Sequence, residues 1–173
     1  MRKFAGFAAI ASAAALISCG YHVGGKAVLM PKGMQTIAIP AFHNVTTYYK
    51  LSDALPEEIG REFLARTHYR VVNNPADADA VLQGTISRVI EAPIIFDPAS
   101  GSPSSAQILV FVSMKMVERA TGRVLYSSTN TVYHENYAYA NDPHQYFDES
   151  GPALIRLDRN LARDLVSSIL EDF

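Results

Sequence analysis

The residues able to do chemistry in this 173-residue chain are few: one cysteine and five histidines, among 17 acidic and 15 basic side chains. His134-Glu135, with Asp142 and His144 downstream, is the nearest approach to a set of metal ligands. Zinc sites use tighter recurring spacings, with a Cys or second His at a set offset, and that offset is empty here. These positions read as solvated loop residues, and no metal is expected. A Ser-His-Asp hydrolase would present its nucleophile in a Gly-x-Ser-x-Gly turn, which does not occur. Gly24-Gly25 lacks the spacing and the Lys-Ser/Thr pair of a phosphate loop. The chain is expected to be no enzyme and to carry no cofactor.

That leaves the cysteine. Cys19 closes the run Leu16-Ile17-Ser18-Cys19, behind Arg2, Lys3 and an alanine-rich apolar stretch from Phe4 to Ile17. A charged start, a short apolar middle and small residues at the cut describe an export signal. The middle, about 14 residues, is too short for a membrane span of roughly 20. Leu-Ile-Ser-Cys resembles the lipobox of bacterial lipoproteins, in which the cysteine is acylated and becomes the first mature residue. Residues 1–18 are thus expected to be the signal peptide and Cys19 the lipidated terminus. An exported protein with a stray or buried thiol is the plainer alternative. Gly20, not aspartate, follows the cysteine, so delivery to the periplasmic side of the outer membrane is the default. One acyl chain holds only reversibly, at about 0.8 kcal/mol per buried methylene. Lipoproteins of this kind carry three, and the spent thiol is lost to disulfide, metal or nucleophilic use.

Removing residues 1–18 from 173 leaves 155, the size of one domain. Losing Arg2 and Lys3 lowers the basic count from 15 to 13 against 17 acids, a net charge of about −4. With no long basic run, nucleic acid is not an expected partner. Residues 19–35, with Gly24-Gly25, Pro31 and Gly33, read as a tether, and 36–173 as the domain. Thr36–Phe42 reads as a strand near an edge, because Pro40 cannot donate to a central ladder. Leu51, Leu55, Ile59 and Phe63 make a helical stripe, and Pro56-Glu57-Glu58 suggests a first turn near residue 55. Short strands follow at Tyr69–Val72 and Val81–Ile90, the second with Leu82, Gly84, Ile86 and Ile90 on one face. After a loop from Pro98 to Ser105, Gln107–Glu118 and Val124–Tyr133 are expected to form a hairpin around Thr121-Gly122. Leu154, Leu157, Leu161, Leu165 and Ile169 then line a last helix from Pro152 to about Leu170. Together these elements predict an α+β two-layer sandwich. Two helices would pack on one face of a mainly antiparallel sheet of about four strands, leaving the other face for a partner.

Four segments carry a family resemblance: Cys19-Gly20-Tyr21-His22-Val23, Ile37 to Thr46, Ala78 to Ile86, and Thr121 to Tyr126. In this order and spacing the chain resembles the LptE family of outer-membrane lipopolysaccharide-assembly lipoproteins. The resemblance implies a non-enzymatic protein seated within the LptD-like barrel of the lipopolysaccharide translocon. There it would assist the barrel's assembly and the delivery of lipopolysaccharide to the outer leaflet. A pilot or accessory lipoprotein of a secretin, or of another envelope complex, is the alternative reading.

Two groups of residues are candidates for contact. Tyr133, Tyr137 and Tyr139, followed by Tyr146 and Phe147, combine large area with polar tips, which suits a barrel wall. They could equally close the end of the sheet and cap the core. Arg88, Lys115, Arg119 and Arg123 are the best cationic cluster for lipopolysaccharide phosphates, or a solvated edge that discourages sheet pairing. The resemblance implies basic residues in the loop between the middle strands and on the last strand. Here residues 97–107 and 124–133 contain no Lys or Arg.

Overall fold

In the computed structural model, residues 26–27, 31, 33–139 and 149–170 are described. Cys19, Asp142, His144, Tyr146 and Phe147 lie outside them. The described strands are β1 (Lys26–Ala27), β2 (Thr36–Ala38), β3 (His43–Asn44), β4 (Arg70–Val72), β5 (Ala80–Phe96), β6 (Pro103–Glu118) and β7 (Val124–Ala138). The helices are α1 (Leu51–Arg66) and α2 (Ser150–Leu170). The seven strands form one sheet in the order β1-β7-β6-β5-β2-β4, with β3 also paired to β5.

The α+β class agrees with expectation, but the sheet does not. It has seven strands rather than about four, and β2 runs parallel to both β4 and β5, as β3 does to β5. The parallel β2–β4 pair needs a long crossover, which α1 supplies, and strands of two or three residues show no period to read. β5, β6 and β7 are correspondingly longer than expected, at 17, 16 and 15 residues.

The alternation in β6 is strict. Ala106, Ile108, Val110, Val112, Met114 and Met116 are all buried towards the helices, as a half-buried strand requires. They meet Leu55, Ile59 and Phe63 of α1 and Leu157, Leu161, Leu165 and Ile169 of α2 in one core. On β5, Leu82 and Ile86 face the same core, but Ile90 does not. The register with β6 slips between Ile86 and Arg88, so Ser87 is an extra residue and the inward phase passes to Val89. A bulge of this kind reverses every later side chain.

The expected strand Thr36–Phe42 is broken in two, with β2 and β3 lying in succession along β5. Between them, Phe42 turns inward and is buried. Its ring occupies the space above Gly84 so closely that a Cβ there would lie 2.4 Å from it. The same residue completes α1. That helix begins at Leu51, a turn ahead of residue 55, and Pro56 sits inside it. Proline has no N–H to return to the Ser52 carbonyl; the Phe42 N–H donates to that carbonyl instead, at 2.8 Å. Asp79 fixes the other end of this segment. Its carboxylate accepts from the N–H groups of Gln35 and Thr36 and from the Thr36 hydroxyl, at 2.8–2.9 Å, which holds its carboxyl below the usual range.

Gly84→Ala should therefore cost about 1–3 kcal/mol through overpacking, read as a shift of the urea unfolding midpoint. Most of that loss should disappear in a Phe42→Ala background, as a double-mutant cycle would report. Equal losses in both backgrounds would show that the ring does not impose the glycine.

Candidate functional site

Among the described residues, helices cover one side of the sheet, and the long strands make its other face. Pairing across β5, β6 and β7 lays that face out in rows: Arg88–Phe111–Val132, Ile90–Leu109–His134, and Ala92–Gln107–Asn136. Ile90 and Val132 are 37% and 41% exposed. The Arg88 guanidinium lies 4.0 Å from the centroid of the Phe111 ring, and the Gln107 amide donates to Asn136 at 2.9 Å. Towards the β5–β6 turn, Ile95 and Phe96 are also exposed. The result is a broad, gently mixed surface, with an apolar centre flanked by amides, an imidazole and an arginine. Such composition suits a protein interface with an apolar core and a polar rim.

The tyrosines lie on the opposite side. Tyr133 and Tyr137 point from β7 into the helix-facing layer, and Tyr137 is only 6% exposed. Its hydroxyl donates to Glu91, whose other oxygen accepts from Tyr48 at 3.1 Å. Tyr139 packs edge-on against the Tyr137 ring, with centroids 5.6 Å apart. Burial raises the Tyr133 and Tyr137 hydroxyls well above the usual phenol range, and the Glu91 carboxylate pushes Tyr137 further. The three side chains thus close the end of the core, the reading the residues left open. Glu91 was missed: it reaches the inner face only because the bulge at Ser87 turned it there.

The four cations are not brought together. Arg88 and Lys115 share the open face, but Lys115 lies four β6 residues beyond Arg88's partner Phe111, about 13 Å along the strand. Arg119 is committed to the scaffold, its Nε donating to the Ala78 carbonyl at 2.7 Å and its N–H to that of Asp79 at 2.8 Å. Arg123 pairs with Glu118 at 3.5 Å. His134 stands on the open face. Among the described residues, no three of His, Cys, Asp and Glu are grouped as a metal site.

The model of the LptE family, described as lipopolysaccharide-assembly, matches residues 34–171, which is most of the chain. The chain belongs to the LptE family. This is a non-enzymatic family of lipopolysaccharide-assembly lipoproteins, and the role in lipopolysaccharide assembly follows from membership. No curated protein matches the sequence. Among solved structures, the chain is similar to an uncharacterized lipoprotein B from Nitrosomonas europaea. The identity is 14% and the TM-score 0.52, over 80% of this chain and 88% of that one. The rare lipoprotein B from Shewanella oneidensis is similar at 10% identity and a TM-score of 0.51, covering 78% and 95%. The PelC dodecamer from Paraburkholderia phytofirmans gives 12% and 0.50, covering 82% and 94%. At these identities the likeness is one of fold.

Within this LptE-family chain, Tyr137→Ala should cost about 3–5 kcal/mol, as expected for loss of a buried aromatic. Val132→Ser, on the open face, should cost under about 1 kcal/mol. Urea denaturation of both variants checks this; similar losses would mean that the two faces are not distinguished by burial.

Proposed function

We propose that this protein is an outer-membrane lipoprotein, acylated at Cys19, that docks the open face of its sheet on the LptD-like barrel of the lipopolysaccharide translocon. The observation that supports this most is the one-sided sheet. Three strands of 15 to 17 residues are covered by helices on one face, while the other presents Ile90, Leu109, Phe111 and Val132 among polar neighbours. The lumen of a large barrel is lined by polar side chains. A face that alternates amide, imidazole and guanidinium groups with moderate apolar area can meet such a wall without stranding its polar atoms. Arg88 and Lys115 are the members of the cationic group that face outward with it, and are assigned to lipopolysaccharide phosphate. Assistance to barrel assembly and to delivery of lipopolysaccharide to the outer leaflet belongs to the same reading.

Purification of the full chain from detergent-extracted membranes tests it. The barrel protein is expected in equimolar amount. The double change Ile90→Asp and Val132→Asp should reduce its recovery at least tenfold while the melting temperature of the variant stays near that of the wild type. Cys19→Ala should move the protein out of the membrane fraction. Recovery of a secretin in place of the barrel, or full barrel recovery with the double variant, would overturn the assignment.

A further inference from the structure

Away from the open face, the first turns of α1 and α2 enclose a cleft of about 480 Å³. Its walls include Leu51 and Ala54 of α1, and Leu154 and Ile155 of α2, with the rings of Tyr48 and Tyr49 beside them. The lining is mostly apolar; Thr47, Lys50 and the tyrosine hydroxyls stand among its residues, and Asp158 is its one acid. Asp158 is 4% exposed, and its Oδ1 has no hydrogen-bond partner among the described residues. Tyr49, by contrast, is 73% exposed at the rim. A volume in this range is that of a small-molecule site. A buried carboxylate oxygen without a donor is costly and calls for a specific cause.

We propose that this cleft binds a small monovalent amine, with its aliphatic stem against Leu51, Ala54, Leu154 and Ile155 and its ammonium paired with the Asp158 carboxylate. Three features select that chemistry. The helix walls accept an apolar stem, and Asp158 is the one acid that lines the cleft. Tyrosine faces attract a cation, adding to the charge at the base of the site. Lys50 also lines the cleft and repels a second positive charge, so diamines are disfavoured.

The charges around Asp158 set the expected pH dependence. Burial raises its carboxyl to about 7, with a further push from Glu58 of α1. Glu58 is itself paired to Arg61 at 2.7 Å, and among the described residues Lys50, Tyr48 and Tyr49 are the other titratable groups that line the cleft. An acid with a raised pKa is mostly neutral below that value and ionised above it. An ammonium ligand favours the ionised form, so its affinity should rise about tenfold per pH unit between 5 and 7 and level off above.

Calorimetric titration of the detergent-extracted full chain with hexylammonium tests the proposal. Binding should saturate, follow that pH profile, and weaken at least tenfold in Asp158→Asn. Asp158→Asn removes a buried charge and should fold at least as well as the wild type. Ala54→Phe fills the cleft without touching the acid and should abolish binding with no loss of melting temperature. Hexanol should bind at least tenfold more weakly. Equal affinity for hexanol and hexylammonium, an unchanged affinity in Asp158→Asn, or a flat pH profile would overturn it. The barrel contact plays no part in these outcomes, so the two readings fail independently.

Discussion

The ring of Phe42 fills the space above Gly84, and its N–H closes the carbonyl that Pro56 leaves open in α1. One residue thereby ties a helix to the first third of the longest strand. It also ends the β2 pairing and directs the chain into β3, both of which lie parallel to β5. If the ring moved, α1 would lose both its seat on the sheet and a partner for Ser52. The Asp79 contacts hold the start of the same segment, so the chain from Gln35 to Phe42 is pinned at each end, by Asp79 and by the close approach to Gly84, both far away in sequence. Everything on the open face depends on this, because β5 can present Arg88 and Ile90 outward only if its inward side is firmly occupied.

The parts of the fold that show a period were legible in the residues. The strict alternation of β6 and the leucine stripe of α2 each specify one buried face, and the structure buries those same side chains. The rest is governed by single residues that leave no periodic trace. Pro56 is compatible with a helix start, and only a distant N–H from Phe42 makes it acceptable one turn inside. Ser87 looks like an ordinary outward residue, yet as a bulge it reverses the strand, sending Ile90 out and Glu91 in. The tyrosine-rich strand offered two readings because tyrosine suits both a wet interface and a core edge. What resolves them is the Glu91 carboxylate, which lies 46 residues from Tyr137. The cations were a cluster only in sequence: Arg119 and Arg123 are held by carbonyl and carboxylate partners near the β6–β7 turn.

A sheet covered by helices on one face must do something with the other. In an isolated domain that face would carry apolar side chains singly rather than at one shared centre. Here its centre is apolar and its surroundings carry amides and an arginine stacked on a phenylalanine, an arrangement that water solvates only in part. Membership of a lipopolysaccharide-assembly family gives the setting, and the face is the surface proposed for contact. Between the helices, the Asp158 cleft lies apart from that face, so one small domain has room for two distinct contacts.

Site-specific photo-crosslinking in cells tests the central claim most directly. With a benzophenone side chain at Val132, on the open face, the account predicts efficient crosslinking to the translocon barrel; with one at Arg159, on the exposed side of α2, it predicts none. Crosslinks from Arg159 and silence from Val132 would contradict it.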